Sequence, residues 1–169
     1  PTGIQKVTIK GNGSLPTLNL KQFVLPNRAL NSFSVKGLNI TGVDVATATT
    51  PYSLGNYMFN CSNAAINVTN VLIDGCKVAN YRGVVRLQTS GVTMSNITFN
   101  NCVVSNIGYS TSSYNILNTG TGTVVNTITL TNSTFYSING AFLGVSAIYT
   151  AITAVTIDKC TFDNVLLNT

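Results

Sequence analysis

The residues that could carry acid–base chemistry are few in this sequence. Its 169 residues include four acids, and all four are aspartates: Asp44, Asp74, Asp158 and Asp163. Glutamate and histidine do not occur in it. Glycoside hydrolysis usually needs two carboxyl groups across the scissile bond, and a calcium-dependent lyase needs several acids around the metal. Because Asp158 and Asp163 flank a predicted corner, where aspartate is favoured structurally, we predict no catalytic residue and no enzymatic activity.

The four cysteines are Cys61, Cys76, Cys102 and Cys160, and no two of them form a CxxC pair. Without histidine, this spacing does not favour a zinc site, and we expect no metal and no cofactor. Three of the four recur at one position of a repeat, where stacked side chains point the same way. Buried free thiols are therefore favoured, and a disulfide between Cys76 and Cys102 is the alternative.

Aromatic and basic residues give the most credible binding patch. Seven tyrosines are present, and tyrosine rings stack on sugars while arginine hydrogen-bonds to hydroxyl groups. The predicted carbohydrate-binding residues are Tyr81, Arg82, Arg86, Tyr109 and Tyr114. The alternative is that these rings only cover the edge of the fold by packing.

Charge and composition restrict the class of partner. Charged residues make up 8% of the chain and the net charge is +5, from scattered bases. A nucleic-acid footprint needs clustered bases, and no apolar run reaches the length of a membrane span, so neither partner is expected. Low charge with abundant Asn, Thr and Ser favours an extracellular or cell-surface location. The candidate N-glycosylation sequons begin at Asn12, Asn39, Asn60, Asn67, Asn96 and Asn132, although abundant Asn and Thr also produce sequons by chance.

One eleven-residue phrase recurs along the chain and must position these residues. In VTIDKCTFDNV, from Val155, apolar and polar residues alternate, two polar residues interrupt, and the alternation resumes. This pattern predicts a strand, a corner and a second strand. The second corner residue is Gly or Asn in most copies, and both tolerate a left-handed backbone. Copies spaced 26 to 38 residues apart begin at Val7, Phe33, Val71, Ile97, Ile128 and Val155.

Each copy is followed by a second corner and a third strand-like piece. The second corners are expected at Gly42, Asn80, Asn106, Ser137 and Asn164, and the third strands within 83–88, 114–117 and 140–145. Such repeats predict an all-β fold, a parallel β-helix (solenoid) of about six coils in a single domain over 1–169. We expect longer loop insertions near 45–70 and 108–125. A β-sandwich is the alternative, but it does not require the same phrase at the same corner.

Stacked coils would align inward side chains into ladders. The first ladder contains Leu38, Cys76, Cys102, Ser133 and Cys160. The second contains Val35, Ile73, Phe99, Leu130 and Ile157, and the third contains Ile40, Val78, Val104, Phe135 and Phe162.

The phrases ITFNNCVVSNIG and VTIDKCTFDNV resemble the coil of the pectate-lyase-like superfamily. They are most similar to secreted, polysaccharide-associated β-helix domains of Bacteroidetes-type bacteria. The resemblance covers Phe33 to Val165 and implies a right-handed β-helix. That superfamily includes lyases and glycoside hydrolases, but the acids and arginines that its lyases place on neighbouring coils are not matched here.

The two ends of the repeat suggest a role. Neither PTGIQ at the beginning nor LLNT at the end resembles a cap, and an uncapped coil exposes unpaired backbone. We therefore predict an extracellular structural scaffold that either self-associates end to end or continues into neighbouring domains of a longer chain. Polysaccharide binding is a further expectation. The alternatives are a carbohydrate-active β-helix domain and an ice-binding protein, the latter from one column of outward residues: Thr8, Ser34, Leu72, Thr98, Thr129 and Thr156.

Overall fold

The computed structural model describes residues 5–42, 56–108, 115–145 and 152–165. These residues form β-strands and no helix. The strands lie in three sheets, and every pairing within them is parallel. After the first coil, which has strands of only two sheets, a strand of each sheet is followed along the chain by a strand of the next sheet. The fold is a parallel β-solenoid, as predicted.

The first sheet contains one strand from every copy of the repeat. Its members are β1 (Lys6–Lys10), β3 (Ala29–Lys36), β6 (Asn67–Asp74), β9 (Thr93–Asn100), β12 (Thr127–Thr131) and β15 (Ala154–Asp158). The second sheet contains β2 (Thr17–Asn19), β4 (Asn39–Thr41), β7 (Lys77–Tyr81), β10 (Val103–Gly108), β13 (Thr134–Asn139) and β16 (Thr161–Val165). The third contains β5 (Tyr57–Cys61), β8 (Gly83–Leu87), β11 (Leu117–Thr119) and β14 (Leu143–Val145). From β1 to β15 the chain completes about five turns, and β15 and β16 start another.

The register between coils confirms the alignment of the repeat. Val7, Phe33 and the equivalent residue of each later copy are direct partners in the first sheet, up to Val155. The predicted ladders from Val35 to Ile157 and from Ile40 to Phe162 are likewise continuous columns. Since a slip of one residue would turn each apolar side chain outward, the burial of these columns fixes the register.

In the five copies from Phe33 onward, the first corner has the left-handed backbone that the sequence predicts. The φ angles are 59° at Gly37, 60° at Gly75, 51° at Asn101, 50° at Asn132 and 53° at Lys159. A left-handed conformation is costly for residues other than Gly, Asn and Asp. Among the five corner residues, Lys159 is therefore the least suited to this backbone conformation.

The second predicted corner is a kink within a strand. Asn80, Asn106, Ser137 and Asn164 have φ angles between 50° and 64°, yet each lies inside its second-sheet strand. Strand pairing omits these residues and resumes after them, for example from Ser105 to Ile107. Gly42 is not among the residues with positive φ.

The third sheet was only partly predicted. Strand β8 fills most of 83–88, whereas β11 starts at the last residue of 114–117 and β14 occupies only the end of 140–145. Tyr57–Cys61, inside the expected insertion 45–70, is the regular strand β5 and pairs with β8. This part of the chain is therefore a wall of the solenoid, and its inward Phe59 packs on Phe23 and Phe33 in the core.

Candidate functional site

Two of the three described aspartates, Asp74 and Asp158, lie at first corners of the solenoid, and Asp163 lies within β16. Asp74 Oδ2 lies 3.7 Å from Lys36 Nζ, and Asp74 Oδ1 accepts a hydrogen bond from Asn100 Nδ2 at 2.9 Å. Asp158 Oδ2 lies 3.9 Å from Lys159 Nζ, in an exposed pair. Asp44 lies outside the described residues. Within the residues that the structure describes, no three Cys or Asp side chains gather where a metal could bind.

The cysteines are free thiols with a local structural role. Cys76 Sγ donates to the carbonyl of Asp74 at 3.3 Å, and Cys102 Sγ donates to that of Asn100 at 3.2 Å. Each thiol thus bonds across its own corner, and Ser133 does the same with Thr131 at 2.7 Å. Burial raises the pKa of Cys102 to about 12, so this thiol stays protonated and is a poor nucleophile.

Cys61, which the sequence alone did not place, ends β5. It is buried among apolar residues, and burial raises its pKa to about 12. Cys160 lies at the corner between β15 and β16 and is the least buried of the four cysteines. Its Sγ donates a hydrogen bond to the Asp158 carbonyl at 3.4 Å.

The predicted carbohydrate-binding residues do not form one surface. Tyr81 is 0% exposed and its hydroxyl donates to the Leu20 carbonyl at 2.5 Å, so its ring offers no face to a sugar. Burial also raises the pKa of that hydroxyl. Arg82 and Arg86 are partly exposed. Tyr109 and Tyr114 lie outside the described residues.

Arg86 belongs to a small polar cluster on the third sheet. It alternates with the buried Val85 and Leu87 and therefore lies on the outer face. Its guanidinium carbon is 5.7 Å from the centroid of the Tyr57 ring, a cation–π distance. Asn118, its direct partner on β11, donates to the Tyr57 hydroxyl at 3.3 Å. Sequence reasoning missed Tyr57 and Asn118, because their proximity depends on the pairing of β5, β8 and β11.

The outward column proposed for ice binding is in register but is not uniform. Thr8, Ser34, Leu72, Thr98, Thr129 and Thr156 are successive partners in the first sheet. Ser34 is buried, and Leu72 interrupts the hydroxyl groups.

The sequon asparagines differ in accessibility. Asn12, Asn67 and Asn132 are exposed, whereas Asn39, Asn60 and Asn96 are partly buried. The amide of Asn39 donates to Thr17 Oγ1 at 3.1 Å, and that of Asn96 donates to Asn70 Oδ1 at 2.9 Å. These two amides bind neighbouring coils, so a glycan on either one would remove a contact between coils.

Three of the exposed large apolar residues form one surface on the last described coil, which we call the open face. It consists of the inward-directed side chains of β15 and β16: Val155 is 49% exposed, Ile157 is 55% exposed and Phe162 is 40% exposed. The preceding members of the same columns, Ile128 and Leu130, are at most 1% exposed. The Phe162 ring stacks on Phe135 with centroids 5.1 Å apart and meets the Phe142 ring edge-on at 6.3 Å. Among the described residues, β15 and β16 are edge strands that pair on one side only.

The first coil presents the opposite end of the same columns. Val7, Ile9 and Leu18 are partly buried and pack against the core, and β1 and β2 are the other edge strands of the two long sheets. The two ends of the described solenoid therefore carry matching apolar columns and complementary strand edges.

Comparison with known proteins assigns the chain to one family. A family model described as a domain of unknown function (DUF4957) matches residues 4–138. The chain belongs to this family. No curated protein and no solved structure matches it. In the described part of this family member, no helix is long and apolar enough to cross a membrane.

Proposed function

We propose that this chain is a non-catalytic structural scaffold of an extracellular or cell-surface assembly, in which solenoid ends stack coil on coil. Its coil phrases resemble the right-handed, pectate-lyase-like helices of polysaccharide-associated bacterial proteins, which fits such a location. The observation that carries the proposal is the open face. Three large apolar side chains that continue the core columns are exposed there by 40% to 55%.

Stacking another coil on this face satisfies two physical requirements together. It removes apolar side chains from water, which stabilises association by about 25 cal/mol for each Å² buried. It also pairs the free N–H and C=O groups of β15 and β16, which otherwise make an edge prone to association. A second parallel coil is the shape that provides both, at the strand spacing of about 4.8 Å.

The experiment is electron microscopy and sedimentation velocity of the purified chain at rising concentration. We expect particles that lengthen along the solenoid axis while keeping one width. Ile157→Asp places a charge in the open face and should abolish lengthening. Thr156→Asp, on the outward side of the same strand, is the matched control and should lengthen as the unmodified chain does. A chain that stays monomeric at every concentration would refute the assembly.

A second function, polysaccharide binding, is supported by Arg86 and Asn118, the partly exposed members of the polar cluster. Guanidinium and amide groups hydrogen-bond to sugar hydroxyl groups, whereas Tyr57 is 2% exposed and offers no ring face to a sugar. A glycan array with the unmodified chain, Arg86→Ala and the double variant Tyr109→Ala/Tyr114→Ala tests this function. Binding that persists in both variants would exclude these residues from the site.

A further inference from the structure

We propose that the outer face of the first sheet binds a neutral polysaccharide along a column of threonines, Thr98 and Thr129. This inference rests on the polysaccharide-binding function proposed above, and it adds a second surface and the chemical class of the ligand. Both threonines lie on strands, β9 and β12, that pair with a described strand on each side. Coils on both sides therefore fix the surroundings of these two residues.

The coils that carry these threonines have no formal charge. Residues 87–157 contain no Asp, Glu, Lys or Arg, although the whole chain has a net charge of +5. The side chains of β9 and β12 that are not buried are those of Thr, Ser and Asn. A patch of bases would favour an acidic polymer, whereas hydroxyl and amide groups exchange hydrogen bonds with neutral sugars. The charge of this face therefore matches a neutral ligand.

Two hydrogen-bonded columns hold the side chains on either side of the threonines. On one side, Thr127 Oγ1 donates to Asn96 Oδ1 at 2.7 Å. On the other side, Thr131 Oγ1 donates to Asn100 Oδ1 at 2.8 Å. These bonds fix the flanking side chains before a ligand arrives, so binding costs less conformational entropy.

The middle column has hydroxyl groups left for a ligand. Thr98 and Thr129 are direct partners in the sheet and are partly exposed. In the described part of the chain, neither hydroxyl group forms a hydrogen bond. Each hydroxyl can donate one hydrogen bond and accept two, and the branched side chain of threonine is restricted at χ1. The two groups repeat at the strand spacing of about 4.8 Å, which suits a polysaccharide, because its hydroxyl groups also repeat along a chain.

The same column is less suited to ice. Leu72 precedes Thr98 in it, and Ser34, the member before Leu72, is buried. An ice lattice extends in two dimensions and requires a uniform array of hydroxyl groups. A single polysaccharide chain needs only a line of contacts, which the short run of threonines provides.

The test is a glycan array with neutral and acidic members, probed with the full chain and with Thr98→Val/Thr129→Val. Valine keeps the branched shape and favours strands, so circular dichroism should show an unchanged fold. We expect binding to neutral members that is equal at low and high salt, because no charge takes part. The double variant should bind about tenfold more weakly. Thr134→Val, at an outward position of the second sheet, is the matched control and should bind as the unmodified chain does.

The outcomes separate this face from the cluster on the third sheet. If Arg86→Ala abolishes binding to neutral members and the valine variant does not weaken it, polysaccharide binding stands and the first-sheet face is wrong. Binding confined to acidic members, or binding to neutral members that disappears at high salt, also overturns the inference. If no member binds, this inference and the polysaccharide-binding function both fail. Arrest of ice growth by the unmodified chain but not by the valine variant, without glycan binding, would assign the face to ice instead.

Discussion

Ser133→Ala tests the hydrogen bonds that close one corner of the solenoid. The Ser133 hydroxyl donates to the Thr131 carbonyl at 2.7 Å and accepts from the Cys102 backbone N–H of the preceding coil at 3.0 Å. The side chain is buried, at 2% exposure. Alanine loses the bond to the Thr131 carbonyl, worth about 1 kcal/mol, and leaves the buried Cys102 N–H without its acceptor, which costs on the order of 1–3 kcal/mol. We expect the free energy of unfolding to fall by about 2–4 kcal/mol.

That loss corresponds to a melting temperature lower by roughly 4–16 °C for a chain of this size. Urea unfolding followed by circular dichroism measures the free energy, and a thermal scan measures the melting temperature. Ser133→Cys is the informative companion, because Cys76 and Cys102 fill this position in two other coils and bond across the same corner. It should lose less stability than alanine does.

The exposed Ser62→Ala is the control and should change the free energy of unfolding by less than about 0.5 kcal/mol. If Ser133→Ala unfolds like this control, the corner bonds do not stabilise the fold. If Ser133→Cys proves less stable than Ser133→Ala, the equivalence of serine and cysteine in this column is wrong.

Three further predictions concern the core, one corner and the thiols. Phe135→Ala should lower the free energy of unfolding by about 3–5 kcal/mol, because the ring is fully buried between neighbouring aromatic rings. In urea unfolding, Phe142→Ala should lower that free energy by less, because Phe142 is only partly buried. Equal losses in the two variants would contradict the assigned packing. Lys159→Gly should raise the free energy of unfolding by about 1 kcal/mol, because glycine adopts the left-handed backbone at φ 53° without strain. A lower urea midpoint for the variant than for the unmodified chain would contradict this prediction. Cys61 and Cys102 have pKa values of about 12 in the folded chain against an ordinary value of 9.0, so above pH 9 the unfolded chain binds fewer protons than the folded one. The contribution of the two protonated thiols to the free energy of unfolding should therefore be fully present below about pH 9 and be lost as the pH rises toward 12. Urea midpoints at pH 7 and pH 10 measure this decrease in stability. Cys61→Ala should make the decrease smaller.

The sequence determined the strand–corner–strand unit of each coil. Alternation of apolar and polar residues has period two in a strand, and a Gly or Asn at a fixed position permits a left-handed corner. Both are local properties, so the columns from Val35 to Ile157 and the corners at Gly75 and Asn101 could be predicted residue by residue. The burial of Cys76 and Cys102 followed from the same alignment.

Residues between the repeated phrases were less predictable, because their environment depends on other coils. Tyr81 is the last residue of β7 and resembles a surface ring in sequence. The kink at Asn80 turns it into the core, where the Leu20 carbonyl accepts a hydrogen bond from its hydroxyl. Strand β5 lies outside the repeated phrase, and only its pairing with β8 identifies it as part of the wall.

The sequence by itself determined that coils form and in which register they stack, because the repeat encodes both burial and corners in every copy. Only the tertiary structure decided which apolar side chains are covered. Ile157 and Leu130 have equivalent positions in the repeat, yet Ile157 is 55% exposed and Leu130 is 0% exposed. The physical reason is that burial in a solenoid comes from the coils on both sides, and this neighbour relation is a property of the stack rather than of the phrase.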